Sequence, residues 1–152
     1  MAYDIDLTDN GASLAWDGIN RQVVLKKTVD FSVAANNLAQ NKVAALFNIP
    51  AGVLIEEVLM VVKTGDAQVS DVHIGIATAS TQATISADGF LNSLSMVTAG
   101  CIRDLAGETY SKQDGTAGYY TLVDCDIILT NVDADTINGA IVDFFAICID
   151  LN

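Results

Sequence analysis

The sequence predicts an all-β fold, an antiparallel β-sandwich of jelly-roll-like type, on three observations. Several runs of Val, Ile, Leu, Phe and Tyr have the length of strands and are bounded by Gly, Asn and Asp turn signals. One of them, SDVHIGIAT, alternates cleanly, with Val72, Ile74 and Ile76 on one face and Asp71, His73 and Gly75 on the other. No long helical segment separates the runs, which argues against a parallel βαβ sheet. The jelly roll is one such sandwich.

The totals suit a single domain. A chain of 152 residues, 51% of them apolar and 17% charged, carries enough apolar surface to build a core and too much to stay disordered. There is one proline, and no repeat, low-complexity tract or Pro/Ser/Gly-rich linker. The reading divides the chain into an N-terminal arm, residues 1–20, and a sandwich domain, residues 21–152.

The arm, MAYDIDLTDNGASLAWDGIN, is acidic, turn-punctuated and weakly periodic, and it holds Trp16, the only tryptophan. It reads either as a frayed terminus or as an extended segment docked on a neighbour, for which an isolated Trp makes a good anchor. Its start has no basic or apolar region of the kind that directs secretion.

From residue 21 the texture changes. RQVVLKKTVDFSV is β-rich and partly alternates at period two. AANNLAQNK breaks it with small and amide residues, as a loop or one short helical turn. KVAALFNI resumes an apolar run, closed by Pro50 and Gly52. VLIEEVLMVVKT fits an amphipathic helix by its apolar arc, but Val53, Ile55, Val58, Val61 and Val62 are β-branched, and turns bound the run on both sides. A strand, apolar on both faces and central in its sheet, is the better reading. ADGFLNSLSM reads as a short helix with Asp88 as N-cap, burying Phe90, Leu91 and Leu94. YYTLVDCDIILTNV and AIVDFFAICIDL read as two strands joined through a hairpin turn, DADTING.

Charge narrows the function classes. Nineteen acidic residues against seven scattered basic ones leave a net charge of −12. Nucleic acid and anionic membranes both require clustered Lys and Arg, so neither is expected as a partner. No apolar run reaches the roughly 20 residues of a bilayer-spanning helix. The acidity serves solubility or meets an electropositive partner surface. Cys101, Cys125 and Cys148 are odd in number and widely spaced; Cys125 and Cys148 sit in apolar surroundings, as reduced, buried thiols do.

Tests for chemistry return little. Glu56 and Glu57 would point to opposite faces of a strand, or lie roughly 100° apart around a helix, so they are not a catalytic pair. Their presence in so apolar a run suggests an edge or subunit boundary nearby. His73, the only histidine, has Asp71 two residues away as an orienting partner, but no nucleophile elbow accompanies them. No C-x-x-C or H-x-x-x-H spacing supports zinc. DADTING fails as an EF-hand, since Ile137, Asn138 and Phe144 occupy the positions that need an oxygen ligand, a glycine and a bidentate glutamate. GETYSKQDGTAG lacks the pattern of a phosphate-binding loop. No cofactor is therefore expected. Tyr119 and Tyr120 place one aromatic on each face of the strand that follows, one for the core and the other for an interface or a sugar platform.

Four patterns in order, AANNLAQNKV, NIPAGVLIEEV, ADGFLNSL and YYTLVDCDIIL, together with the final apolar strand, resemble small structural proteins of tailed bacteriophages. Many of these decorate or cement the capsid shell. The resemblance spans about residues 30–150 and leaves the arm outside it. It implies a non-enzymatic β-sandwich that oligomerises, commonly as a homotrimer, on the outer capsid surface. Its partners would be the major capsid protein and copies of itself, with assembly in the bacterial host cytoplasm. It supplies no catalytic residues. The candidate interface residues on this reading are Trp16, Phe90, Tyr119 and Tyr120. The rival readings are a glycan- or receptor-binding module using Tyr110, Tyr119 and Tyr120, a tail or neck structural protein, and a hydrolase built on Asp71 and His73.

Overall fold

The structure is a computed structural model that describes residues 5–6, 21–102, 110 and 118–152. It is an antiparallel β-sandwich, the fold class read from the sequence. The strands are β1 (Ile5–Asp6), β2 (Arg21–Asp30), β3 (Val43–Ile49), β4 (Val53–Thr64), β5 (Asp71–Thr78), β6 (Thr84–Ser95), β7 (Gly100–Ile102), β8 (Tyr119–Tyr120), β9 (Cys125–Asn131) and β10 (Ile141–Asp150). One 3-10 turn, Ala34–Asn36, falls within AANNLAQNK as expected. No helix among the described residues is long and apolar enough to cross a membrane.

The first sheet has the order β1-β3-β9-β5-β6; the second has the order β2-β10-β4-β7, with β8 also alongside β4. All pairings are antiparallel except β1 with β3. The pairs nest: β5 with β6, outside them β4 with β7, then β3 with β9, and outermost β2 with β10. Burying both apolar inner faces makes one core between the layers, in which Phe31, Leu46, Met60, Ile74, Leu91 and Phe144 are fully enclosed.

VLIEEVLMVVKT is a strand, as its β-branched content predicted. It is central, paired with β10 on one side and with β7 and β8 on the other. β5 shows the expected alternation, with Val72, Ile74 and Ile76 fully buried.

Two local readings are corrected. ADGFLNSLSM is no helix but lies largely within β6. Phe90, Leu91 and Leu94 are buried as expected, yet their spacing comes from irregular pairing and not from a helical turn. Against β5 the register jumps from Ile74↔Leu91 to Ile76↔Ser86, so several residues of β6 bulge past one residue of β5. That residue is Gly75, where an added Cβ would run into the carbonyl of Ser86 and the backbone of Ala87.

DADTING is likewise no hairpin. It carries the chain from β9 in the first sheet to β10 in the second. Leu38 and Ile137 exchange backbone hydrogen bonds of 3.1 and 3.0 Å. The Asn131 amide donates to the carbonyls of Leu38 and Asp135, both at 2.8 Å, and the Asn138 N–H donates to Asp66 Oδ2 at 3.0 Å. The Asp and Asn side chains pin a crossover.

Candidate subunit interface

The outer face of the second sheet carries a row of apolar side chains between charged ends. Along β10, Val142, Phe144, Ala146 and Cys148 are buried in the core, so Ile141, Asp143, Phe145, Ile147 and Ile149 point outward. Their cross-strand neighbours on β4 add Leu54, Leu59 and Val61, and those on β2 add Val24 and Lys26. Most of these apolar side chains are only half-buried.

A β-bulge sets the acidic end of this face. Ile55 and Val58 both point into the core, with two residues between them where strict alternation allows one. The register shows the same slip, pairing Ile147 with Glu57 and Cys148 with Ile55. Glu56 and Glu57 therefore share the outer face, contrary to the opposite-face expectation. Glu56 Oε2 accepts from Gln22 Nε2 at 3.2 Å across the end of β10, and Glu57 is buried among its neighbours.

The other end is basic. Asp143 is buried on this face, and Lys26 Nζ and Lys63 Nζ approach its two oxygens at 3.1 and 3.2 Å. The Thr28 hydroxyl donates to it at 2.6 Å. Burial opposes ionisation, but the Thr28 hydrogen bond and the two ammonium groups outweigh it and hold the carboxyl below its usual range. Lys26 also lies 5.6 Å from the Phe145 ring centroid, a cation–π distance.

At one end of the sandwich an apolar tip continues the face. Tyr120 pairs with outward-facing Leu54, and beyond it Leu122 and Val123 are 79% and 50% exposed. The tip is held firmly. Thr121 is fully buried, and its hydroxyl donates to Pro50 O at 2.7 Å and accepts from Val53 N at 2.9 Å. Asp124 Oδ1 accepts from Ala51 N at 2.9 Å. Gly52, at φ 84°, is packed against the Asn152 side chain, leaving no room for a Cβ.

The candidate interface residues divide. Tyr120 is 47% exposed on the outer face. Tyr119 turns inward against Tyr110, ring centroids 4.9 Å apart and edge-on, so the pair splits between core and surface. Phe90 is corrected: at 1% exposure, with Tyr110 at 5.3 Å, it is a core side chain with no surface for a partner. Trp16 lies outside the described residues. Sequence reasoning missed the Lys26–Asp143–Lys63 cluster, although the alternation of IVDFFAICI around Asp143 signals an outward carboxylate.

His73 Nε2 lies 3.1 Å from Ser93 Oγ, whose residue has φ 49°. Asp71 makes no hydrogen bond or ion pair to the ring, so the two strand residues do not form an oriented acid–base pair.

No family model and no curated protein matches the sequence. Solved structures that are similar in fold include chains of bacteriophage capsids. A chain in the capsid of Ralstonia phage GP4 aligns over 88% of this chain and 87% of its own, at TM-score 0.63 and 12% identity. A chain in the acidic stable capsid of Helicobacter pylori bacteriophage KHP30 aligns over 86% and 90%, at 0.55 and 12%. One in the cyanophage Pam1 capsid asymmetric unit aligns over 91% and 93%, at 0.54 and 13%. At these identities the likeness is one of fold.

Proposed function

We propose that this chain is a non-enzymatic structural protein of a bacteriophage virion, one that decorates or cements the capsid. The observation that carries the reading is the likeness of nearly the whole sandwich to chains in three phage capsids. We read its nested strand pairs as a jelly roll, with residues 1–20 as an arm ahead of the domain at 21–152. The chain acts mechanically: half-buried apolar surface and the rigid tip at Leu122 and Val123 bury against the major capsid protein and against copies of itself. Threefold clusters on the outer capsid surface are the arrangement this predicts, with Trp16 of the arm as a further anchor. A net charge of −12 supports an outer surface over one lining packaged DNA, and the free thiols Cys125 and Cys148 support assembly in a bacterial cytoplasm.

The test is to add purified protein to shells that lack it and to locate it in virions by cryo-EM. Saturable binding at symmetry-related sites on the head supports the proposal. No affinity for such shells, or labelling confined to the tail or neck, overturns it.

A further inference from the structure

β1 stands apart from the other strands. Among the described pairings it alone is parallel, matching Ile5 with Ala44 and Asp6 with Ala45. It caps the β3 edge of the first sheet, whereas β2, the next strand in sequence, is an edge strand of the second. Residues 7–20 connect the two, about fourteen residues where connections in compact domains commonly take about 4–6.

Both ends of this connection belong to one flank of the sandwich. Asp150 is registered with Arg21 on one side and with Val53 on the other, so β2 starts at the end where β3 finishes and β4 begins. β1 runs parallel to β3 and heads for that same end, and β2 lies against β3. From Asp6 the chain needs about 13 Å along β3 and about 10 Å between the sheets to regain β2, roughly 16 Å in a straight line. A connection of this length can span up to roughly 50 Å.

We infer that β1 is an exchanged strand: Ile5–Asp6 of one copy pairs with Ala44–Ala45 of a second copy, so that each copy gives one strand and receives one. Three features favour a second copy as the partner of the β3 edge. The first is reach, because the connection exceeds what closure within one chain needs by roughly 30 Å. The second is position. The root of the arm at Arg21 and the receiving strand share a flank, so copies set flank to flank present root to acceptor. The third is chemistry. Exchange repeats a backbone pairing the chain already makes, which is a low-cost route to association. Copies that repel one another at a net charge of −12 can still join through backbone hydrogen bonds, which need no complementary charge.

This rests on the proposed association of the chain with copies of itself. It is read in purified protein, so its failure is distinct from a failure to bind shells.

Disulfide trapping tests it. Registered residues on adjacent strands lie about 4.8 Å apart, within the Cα separation a disulfide spans, so Asp6→Cys and Ala45→Cys provide the pair. Cys101→Ser removes the exposed native thiol from both chains. A chain with Asp6→Cys and a chain with Ala45→Cys are refolded together and oxidised at about 100 μM, a concentration that populates even weak association. A disulfide joining the two different chains is expected on a denaturing, non-reducing gel, with its identity read by mass spectrometry. A chain carrying both substitutions should give covalent dimers or larger species. Closure of that disulfide within single chains, or a mixture with no joined pair, overturns the inference. Deleting residues 2–6 decides the matter if Ala45→Cys does not fold. The deletion should lower the association state in sedimentation equilibrium while circular dichroism keeps its β signature, and an unchanged association state overturns the inference.

Discussion

Thr121 holds Val53 at three points. The Thr121 hydroxyl accepts from Val53 N–H at 2.9 Å and lies 3.0 Å from Val53 O, and the Thr121 N–H donates to that same carbonyl at 2.9 Å. This contact joins the start of β4 to the loop that presents Leu122 and Val123. A single hydroxyl thus helps fix the geometry of the most exposed large apolar side chain among the described residues, Leu122.

Thr121→Val keeps the shape and removes the hydroxyl, leaving the Val53 N–H and the Pro50 carbonyl short of a partner. The expected cost is about 1–3 kcal/mol in chemical denaturation, and Thr121→Ser should recover most of it.

Leu122→Asp should separate binding from folding. At 79% exposure Leu122 contributes little to the core, so stability should change by about 0.5 kcal/mol or less in either direction. Binding to shells lacking the protein should be lost if the tip is an anchor. Unchanged shell binding would remove the tip from the interface.

Asp143 gives a pH dependence with a definite sign. Its folded pKa is depressed, so its ionised form adds stability that is fully present above the ordinary Asp value near pH 4. That increment disappears as pH falls through the lower folded value. Urea titrations across pH 2–7 should show wild type exceeding Asp143→Asn most above about pH 4, with the gap closing below it.

The three thiols should react in two classes. Cys101 is exposed, whereas Cys125 and Cys148 are buried. Burial, then the carboxylates of Asp126 and Asp124, push the Cys125 thiol up to about 11; burial, then Glu56, push Cys148 up to about 12. At pH 8 a thiol reagent should therefore titrate one cysteine in native protein and all three in denaturant.

Gly75→Val tests the bulged pairing of β6. A side chain there meets the backbone of Ser86 and Ala87, which has no rotamer with which to yield. Destabilisation of about 1–3 kcal/mol or more is expected by thermal denaturation.

The layered architecture was legible because strand composition and period are local properties. β4 announced itself through its β-branched residues, and β5 through strict alternation. What stayed hidden depended on pairing. Phe90, Leu91 and Leu94 mimic a helical stripe because β6 is irregular against β5, and the irregularity exists only once the strands meet. The same holds for Glu56 and Glu57, whose shared face follows from a one-residue slip against β10. DADTING shows where the chain turns, but not which sheet receives the next strand. Glu56 and Lys63 lie seven residues apart on β4, and only the register with β10 brings the Lys63 ammonium to Asp143.

The nested pairing has a consequence for how the molecule is made. β10 is the last strand of the sandwich in sequence, yet it lies between β2 and β4, and Arg21 is registered with Asp150. Until β10 arrives, β2 and β4 each present a long unpaired edge, and their eventual neighbour has yet to emerge from the ribosome. Loop closure over so long a span makes this a slow, late step. The window in which the chain can be captured by other strands, or by a chaperone, therefore ends only when its last strand enters the middle of the sheet.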